Sequence, residues 1–507
     1  MNCEGLERFR NGRRQRSPVM LETTTSATRF RQNASLRLPV SVIMPCLVLS
    51  ACVVGPDYVA PAGTIRDTWV APVDIAQVDG EWWHKLNDPM LTALVDAAIA
   101  NNKDLDEATA RLREARANRD AVLGRQFPQV GASVTVAENR LSSNGQLPVS
   151  KIPALDPEFP IYDVGFDASW EIDLWGGTHR AVESANARIQ AAEEARRAVV
   201  LQVIAEVVRS YIDLRTAQSL RASTMEDAQA QFRIAEIVAE RFRVGTASRF
   251  DLTRARAQAR TTAGAIPGFE ADAAAAAFRL GVLTGEPPET RYAQLIAPAP
   301  LPVANLDVSV GLRADLLRRR PDVRQAERDI AAATADVGVA TAELFPRFSL
   351  IGTLGQQARS PGDLFSGDSL RFQVGPSFRW PIFSAGRIRA QIRAADARAD
   401  AATIRYERAV LNALADSEIA INRFASAEQT TEERDQAREE AHEAVQIAHT
   451  RYVAGEDDLT VLLQAQSAFS SADRLALQAK AAQLQQLAAL YKALGGGWEG
   501  VEGALVS

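Results

Sequence analysis

Two short stretches of the chain alternate strictly between apolar and polar side chains. In one, Phe166, Ala168, Trp170, Ile172 and Leu174 alternate with Asp167, Ser169, Glu171 and Asp173. In the other, Phe372, Val374, Phe378, Trp380 and Ile382 alternate with Arg371, Gln373, Ser377 and Arg379. A period of two predicts strands with one apolar, aromatic face and one charged face. Val130, Ala132, Val134 and Val136, and separately Phe348, Leu350 and Leu354, read more weakly as partner strands. Each set completes a β-hairpin, over residues 129–175 and 347–383. The rest reads as helix. Val203, Val207, Tyr211 and Leu214 recur at the roughly 3.5-residue spacing of coiled-coil packing. Helices are expected over Asp88–Gln126 and Asp322–Leu344 before the hairpins. Very long ones, 178–243 and 387–454, follow them, and return helices run from about Ser248 to Leu283 and Asp457 to Leu494. Pro321 suits a first helical turn, and Gly245 and Gly455 stand where a C-cap is expected.

The two halves repeat one plan. Asp104 falls on Asp322, Ala108 on Ala326 and Phe127-Pro128 on Phe345-Pro346, at an offset of 218. Gly177, Arg180 and Ala181 fall on Gly386, Arg389 and Ala390 at 209, and Arg241, Phe242 and Gly245 on Arg451, Tyr452 and Gly455. Conserved order and spacing mark a duplication. The expected layout is an amino-terminal extended segment (52–87), a first repeat (88–285), a linker (286–311), a second repeat (312–494) and a carboxy-terminal tail (495–507). The fold class is mainly α with a small β part. Each long helix spans roughly 100 Å, and the two shorter helices of its repeat, stacked end to end, match it in height.

Before residue 52 the pattern changes. Arg29, Arg31 and Arg37 precede an apolar run, 38–54, too short and too interrupted by Pro39 and Pro45 to span a bilayer as a helix. That is the build of an export signal. Its end, Leu49-Ser50-Ala51-Cys52, resembles a bacterial lipobox, in which the cysteine is lipidated and becomes the first mature residue. Residues 1–51 are therefore read as a signal peptide whose first part is an over-long start. The chain has three cysteines, Cys3, Cys46 and Cys52, so the exported part holds no disulfide and depends on packing. Residues 1–51 carry eight Arg and three Glu, which leaves the exported part at 49 − 60 = −11 and argues against nucleic acid. No later stretch has eighteen consecutive apolar residues.

Strands of nine to eleven residues with one apolar face have the length that crosses a bilayer at a tilt. A soluble hairpin with one buried face is the alternative. Four strands cannot close a barrel, and open edges are not tolerated in lipid, so spanning strands require several copies around one barrel. Helices joined to such strands continue its wall as a tube. The pattern predicts a duct.

The stretches "CVVGPDYVAP", "WWHKLNDPMLTALVDAAIANNKDL" and "RRRPDVRQAERDIAAATADVGVATAELFPRFSLIGTLG", with the two glycine turns, resemble the TolC-like outer-membrane efflux proteins of the lipoprotein (NodT-type) branch. The resemblance covers nearly all of 52–494. It implies a homotrimer with a twelve-stranded outer-membrane barrel above a periplasmic α-helical barrel, lipid-anchored at Cys52. It also implies two partners, a periplasmic adaptor and an inner-membrane resistance–nodulation–division transporter. Phe166, Trp170, Phe378 and Trp380 then face lipid. Val244, Gly245 and Thr246, with Ala454, Gly455 and Glu456, match the tips that meet the adaptor. In the family, acids nine residues beyond the second glycine narrow the tunnel; here that position is Gln464. The gate candidates are therefore Gln464, Tyr452, the acids Glu456, Asp457 and Asp458, and Asp251, expected to tether the closed state to Arg451 or a neighbour. The three acids also suit a helix start.

Other readings explain less. Glu171 and Asp173 share a strand face as an acid–base pair would, but a barrel lumen carries acids without catalysis. No phosphate loop, dinucleotide fingerprint or zinc signature occurs, and His442 and His449 lack a third ligand. Neither enzyme activity nor a metal or cofactor is expected. A lipid-anchored coiled-coil scaffold leaves the strands unexplained, and a duct for protein secretion fits the "GPDYVAP" start less well.

Overall fold

The computed structural model describes residues 53–61, 68–70, 79–142, 156–304, 310–311 and 313–501. Cys52, the export signal and the last six residues of the tail lie outside them. The first repeat opens with α1 (Pro89–Asn101) and α2 (Lys103–Leu123), followed by β1 (Gln129–Arg140), β2 (Glu158–Ile172) and α3 (Gly177–Arg243). The returning helices are α4 (Arg249–Ala263) and α5 (Ile266–Leu283), and the linker carries α6 (Tyr292–Leu295). The second repeat follows as α7 (Arg313–Arg319), α8 (Pro321–Ala342), β3 (Arg347–Ala358), β4 (Leu370–Arg379), α9 (Arg387–Ala454) and α10 (Leu459–Ala493).

Local chemistry sets these bounds. Asp88 caps α1 by accepting from the Met90 and Leu91 amides. The single helix expected over Asp88–Gln126 is broken at Asn102, whose backbone is extended. Its side chain accepts from Asp104 and Leu105 to start α2, and its Nδ2 donates to the Leu283 carbonyl. The return helix from Ser248 is likewise divided, at Gly264-Ala265. Pro321 does occupy the first turn of α8. The strands end earlier than the alternation, at Ile172 and Arg379, so Leu174, Trp380 and Ile382 stand outside them.

The duplication is visible in three dimensions, with one correction. Gly176, rather than Gly177, is equivalent to Gly386: each is the left-handed N-cap of its long helix, at φ 73° and 81°. The offset is therefore 210 along the whole long helix, because a helix without insertion cannot change register with its copy. Arg180 then falls on Ala390 instead of Arg389. The strands form one antiparallel sheet in the order β1-β2-β3-β4. Gln129 faces Ser169 across β1–β2, and Arg347 faces Arg379 across β3–β4. Offsets of 218 and 210 convert the first pairing into the second.

The main core gathers at mid-height of α3. Val203, Ile204, Val207, Val208, Tyr211 and Leu214 are buried there with Leu91, Leu94, Leu280 and Leu487. Trp82 stacks on Tyr491 with ring centroids 5.1 Å apart, and Tyr211 donates to Asp88 Oδ2 at 2.5 Å. Segments before the first repeat and after the second thus close over one core.

Candidate functional site

The sheet has two unlike faces. Register places Val134, Val164, Phe166, Ala168, Leu354, Phe372 and Val374 on one side, with Ala132 opposite Phe166 and Leu354 beyond it. The apolar side chains on it are largely open: Val134 is 72% exposed, Phe166 60% and Phe372 75%. A bare apolar sheet face of this extent is unfavourable in water and suits lipid. The opposite face is polar and internally bonded. Arg371 pairs with Asp163 at 2.6 Å across the intervening strand, Gln357 donates to the same carboxylate, and Ser133 donates to Asp167. Strands β1 and β4 leave both edges of the sheet without a strand partner among the described residues.

Trp170 and Trp380 sit at the helix end of this sheet. Trp170 Nε1 donates to the Gln126 carbonyl, and Trp380 Nε1 to the Leu344 carbonyl, at equivalent places in the two repeats. Both indoles thus satisfy orphan carbonyls beyond α2 and α8 while keeping their rings on the apolar side, as interfacial tryptophans do. Phe378, whose ring lies tilted against Phe348 near the same end, belongs to this rim. Only Phe166 of the four expected lipid-facing residues lies at mid-strand.

Just beyond the rim, residues 53–61 form a strap. The Val54 amide donates to the Trp175 carbonyl, and Val53 lies against Gly176. Arg180, buried, donates to Asp57 at 2.6 Å and to the carbonyls of Val54 and Gly55. Gly55, at φ 96°, crosses Gly338 so closely that a Cβ would stand 2.4 Å from the Gly338 Cα, so no other residue fits. Tyr58 donates to Glu327, and burial together with that carboxylate pushes its hydroxyl pKa up. The residue after Cys52 is thereby held at the junction of strands and helices. Sequence patterning alone missed this, because an extended strap has no period.

At the far ends of α3 and α9 the two glycine turns are alike. Gly245 and Gly455 adopt φ 79° and 77°, and the amides of Thr246 and Glu456 return to the carbonyls of Arg241 and Arg451. Ser248 and Asp458 are equivalent N-caps of the returning helices. Asp251 completes a capping box with Ser248, whose hydrogen bonds hold its carboxyl below the usual range. Within the chain Asp251 does not meet Arg451. Arg451 instead pairs with Asp457 at 3.0 Å and lies 3.7 Å from Glu456. Asp458 accepts from the Thr460 and Val461 amides, so helix starting accounts for it. Tyr452 is buried beneath the Arg241 guanidinium, 4.3 Å from the ring centroid, and Arg241 Nη2 donates to the Tyr452 carbonyl at 2.9 Å. Arg241, which the repeat alignment places on Arg451, is the clasp between the two tips. Val244 and Phe250 project there, 66% and 71% exposed, and Gln464 is exposed on α10.

Glu171 and Asp173 take separate partners. Asp173 accepts from the His179 amide at the start of α3, and Glu171 lies 4.0 Å from Arg347. Among the described residues no group of three His, Cys, Asp or Glu could hold a metal, and no helix is long and apolar enough to cross a membrane.

A duplicated long-helix bundle carrying a two-faced sheet defines an outer-membrane channel. Residues 94–286 and 312–496, the two repeats, match the family described as "Outer membrane efflux protein", and the chain belongs to that family. It is similar to the pyoverdine export outer membrane protein OpmQ of Pseudomonas aeruginosa, 30% identical over 468 residues that cover 90% of this chain and 97% of that protein. Nodulation protein T of Rhizobium leguminosarum bv. trifolii is 29% identical over 462 residues, 90% and 96% of the two chains. The solved outer-membrane channel OprN superposes with a TM-score of 0.80 at 36% identity, covering 88% of this chain and all of that one. The protein is an outer-membrane efflux channel.

Proposed function

We propose that three copies of the chain form the exit duct of a tripartite pump, lipid-anchored at Cys52. The tips meet a periplasmic adaptor, and a resistance–nodulation–division transporter supplies small toxic compounds from the inner membrane. The carrying observation is the sheet: an open apolar face, a polar face, and two edges that lipid does not tolerate unpaired. Closing those edges against copies of the same chain gives a barrel, and α3 and α9, each about 100 Å long, continue it as a tunnel. The chain itself moves no proton and breaks no bond. Mass measurement in detergent tests this reading, which a monodisperse monomer would overturn.

Anchoring has its own test. Mass spectrometry is expected to find Cys52 acylated and first in the mature protein. One acyl chain binds a membrane only marginally, so Cys52→Ala should lower delivery to the outer membrane more than it loosens protein already inserted. An unmodified chain that starts elsewhere would remove the anchor and leave the duct standing.

At rest the tip end is closed, and the Arg241 clasp holds it. Hydrogen bonds to a charged group contribute about 1.5–3 kcal/mol, so Arg241→Ala is expected to raise resting conductance and the sensitivity of cells to detergents. Neutralising Glu456, Asp457 and Asp458 together should weaken cation selectivity and divalent block, since threefold symmetry turns each acid into a ring. Unchanged selectivity would assign these acids to helix starting and arginine pairing alone.

A further inference from the structure

A cavity of about 450 Å³, within the size of small-molecule sites, opens where α10 ends and α8 begins. Arg320, largely buried, bridges that junction. Its Nη1 donates to the Ala493 carbonyl at 3.1 Å, and its Nε and Nη2 donate to Asp322 at 3.0 and 2.7 Å. Nη2 also reaches Asp416 of α9 at 3.3 Å. Both carboxylates of the cavity are thus held by one guanidinium. The other two charged residues that line it, Arg423 and Lys492, are exposed, and their side chains take no ion pair or hydrogen bond among the described residues. Most of the remaining lining is apolar, with Leu201 of α3, Ala489 of α10 and Ile419 of α9, the last 49% exposed. The segments outside the long hairpins pack on another side of the bundle. There the Val70 amide donates to Glu418 of α9 at 3.2 Å, Arg313 of α7 lies 3.6 Å from the same carboxylate, and Trp498 lies 4.8 Å from the Arg197 guanidinium of α3. Asp416 and Arg423, two positions before Glu418 and five after it, lie on the opposite side of α9.

We infer that this cavity is a binding site on the tunnel wall for amphipathic anions, small molecules that join an apolar ring or chain to one carboxylate or sulfonate. This rests on the reading of the chain as an exit duct and adds a class of cargo to it. In a tube whose outer side carries the segments around Glu418 and Trp498, the opposite side of the helices faces the lumen. The apolar part of the ligand covers Ile419 and Ala489, which water otherwise meets, and its acid takes the two free cations, Arg423 and Lys492. Three cations against two carboxylates leave the cavity at 3 − 2 = +1, within a chain that is acidic as a whole. An organic cation would find both carboxylates already held by Arg320 and would be repelled by the free pair. The cavity touches α3 at Ala198, about 30 Å along that helix from Gly177, so threefold repetition sets three such sites at one height in the part of the tunnel nearer the strands. Binding there has to be weak, since a site on an exit path must release what it takes.

Ligand-observed NMR on the full chain in lipid nanodiscs tests the site, with naphthalene-2-sulfonate as the probe and empty nanodiscs subtracted. Saturable binding is expected, with a dissociation constant on the order of 1 mM for a ligand of this size. Arg423→Gln with Lys492→Gln should weaken it at least about tenfold, because two contacts to a charged group are lost. Ile419→Asp, which sets a carboxylate on the apolar lining, should weaken it as well. Naphthylmethylammonium, with the same ring and the opposite charge, should bind at least about tenfold less well than the sulfonate. All three substituted positions are exposed, so the variants are expected to keep the mass and helical circular dichroism of the parent. A protein that is trimeric by mass yet binds no sulfonate, binds the ammonium equally well, or binds the sulfonate unchanged in the double variant overturns this inference and leaves the duct intact. A monomer by mass overturns the duct, and with it the placing of this site on a tunnel wall.

Discussion

Phe166→Arg is expected to leave the chain unable to keep its place in the outer membrane. Phe166 sits at mid-strand between Ala132 and Leu354 on the apolar face and is 60% exposed. A guanidinium at the depth of the bilayer midplane costs about 2–4 kcal/mol, and near the interface it costs about 0–1. Threefold repetition applies that cost three times in one barrel. Trp170→Arg, at the rim, is therefore expected to be milder, although the indole's hydrogen bond to Gln126 is lost with it. Gln373→Arg, on the polar face opposite Thr353, should insert normally. The measurement is the yield of heat-modifiable, protease-resistant protein in outer-membrane fractions. A larger loss for Gln373→Arg than for Phe166→Arg would show that the two faces have been assigned the wrong way round.

Trp82→Ala is expected to destabilise the helical part by about 3–5 kcal/mol, the usual cost of removing a buried aromatic ring. Trp82 is 1% exposed, stacks on Tyr491 of α10 and meets Trp83 edge-on at 6.2 Å. Gly497 lies against its indole nitrogen, leaving little room for neighbours to collapse into the cavity. Because this ring joins the segment before the first repeat to the last helix of the second, its loss should lower the cooperativity of unfolding as well as its midpoint. Thermal melts followed by helical circular dichroism would show both. Trp82→Phe retains most of the stack and should recover most of the loss. A melt unchanged by Trp82→Ala would mean that the segment before the first repeat adds nothing to the stability of the helical part.

Much of this protein was legible along the chain, and the reason is periodicity. Two-residue alternation placed Phe166 and Phe372 on one face of strands that the structure does form, and the 3.5-residue recurrence from Val203 to Leu214 marked the buried side of α3. The glycine turns were legible because a left-handed C-cap has few substitutes. The duplication followed from order and spacing. Local breaks were harder to see. Asn102 interrupts a helix that propensity would continue, since its side chain caps the next helix while reaching Leu283, 181 residues away. Gly176 was placed one residue off because adjacent glycines look alike until one adopts positive φ.

The sequence by itself determined the elements, the repeat and the two characters of the sheet, all of which depend on side chains a few residues apart. Only the tertiary structure decided which charged residues meet. Within one chain Asp251 turns back to cap its own helix with Ser248, while Arg451 takes Asp457 and Arg241 takes Tyr452. Tyr58 finds Glu327 and Arg180 finds Asp57 across more than a hundred residues of chain. Such pairings are chosen by distance in space among many chemically equivalent partners, and the linear pattern carries no record of that distance.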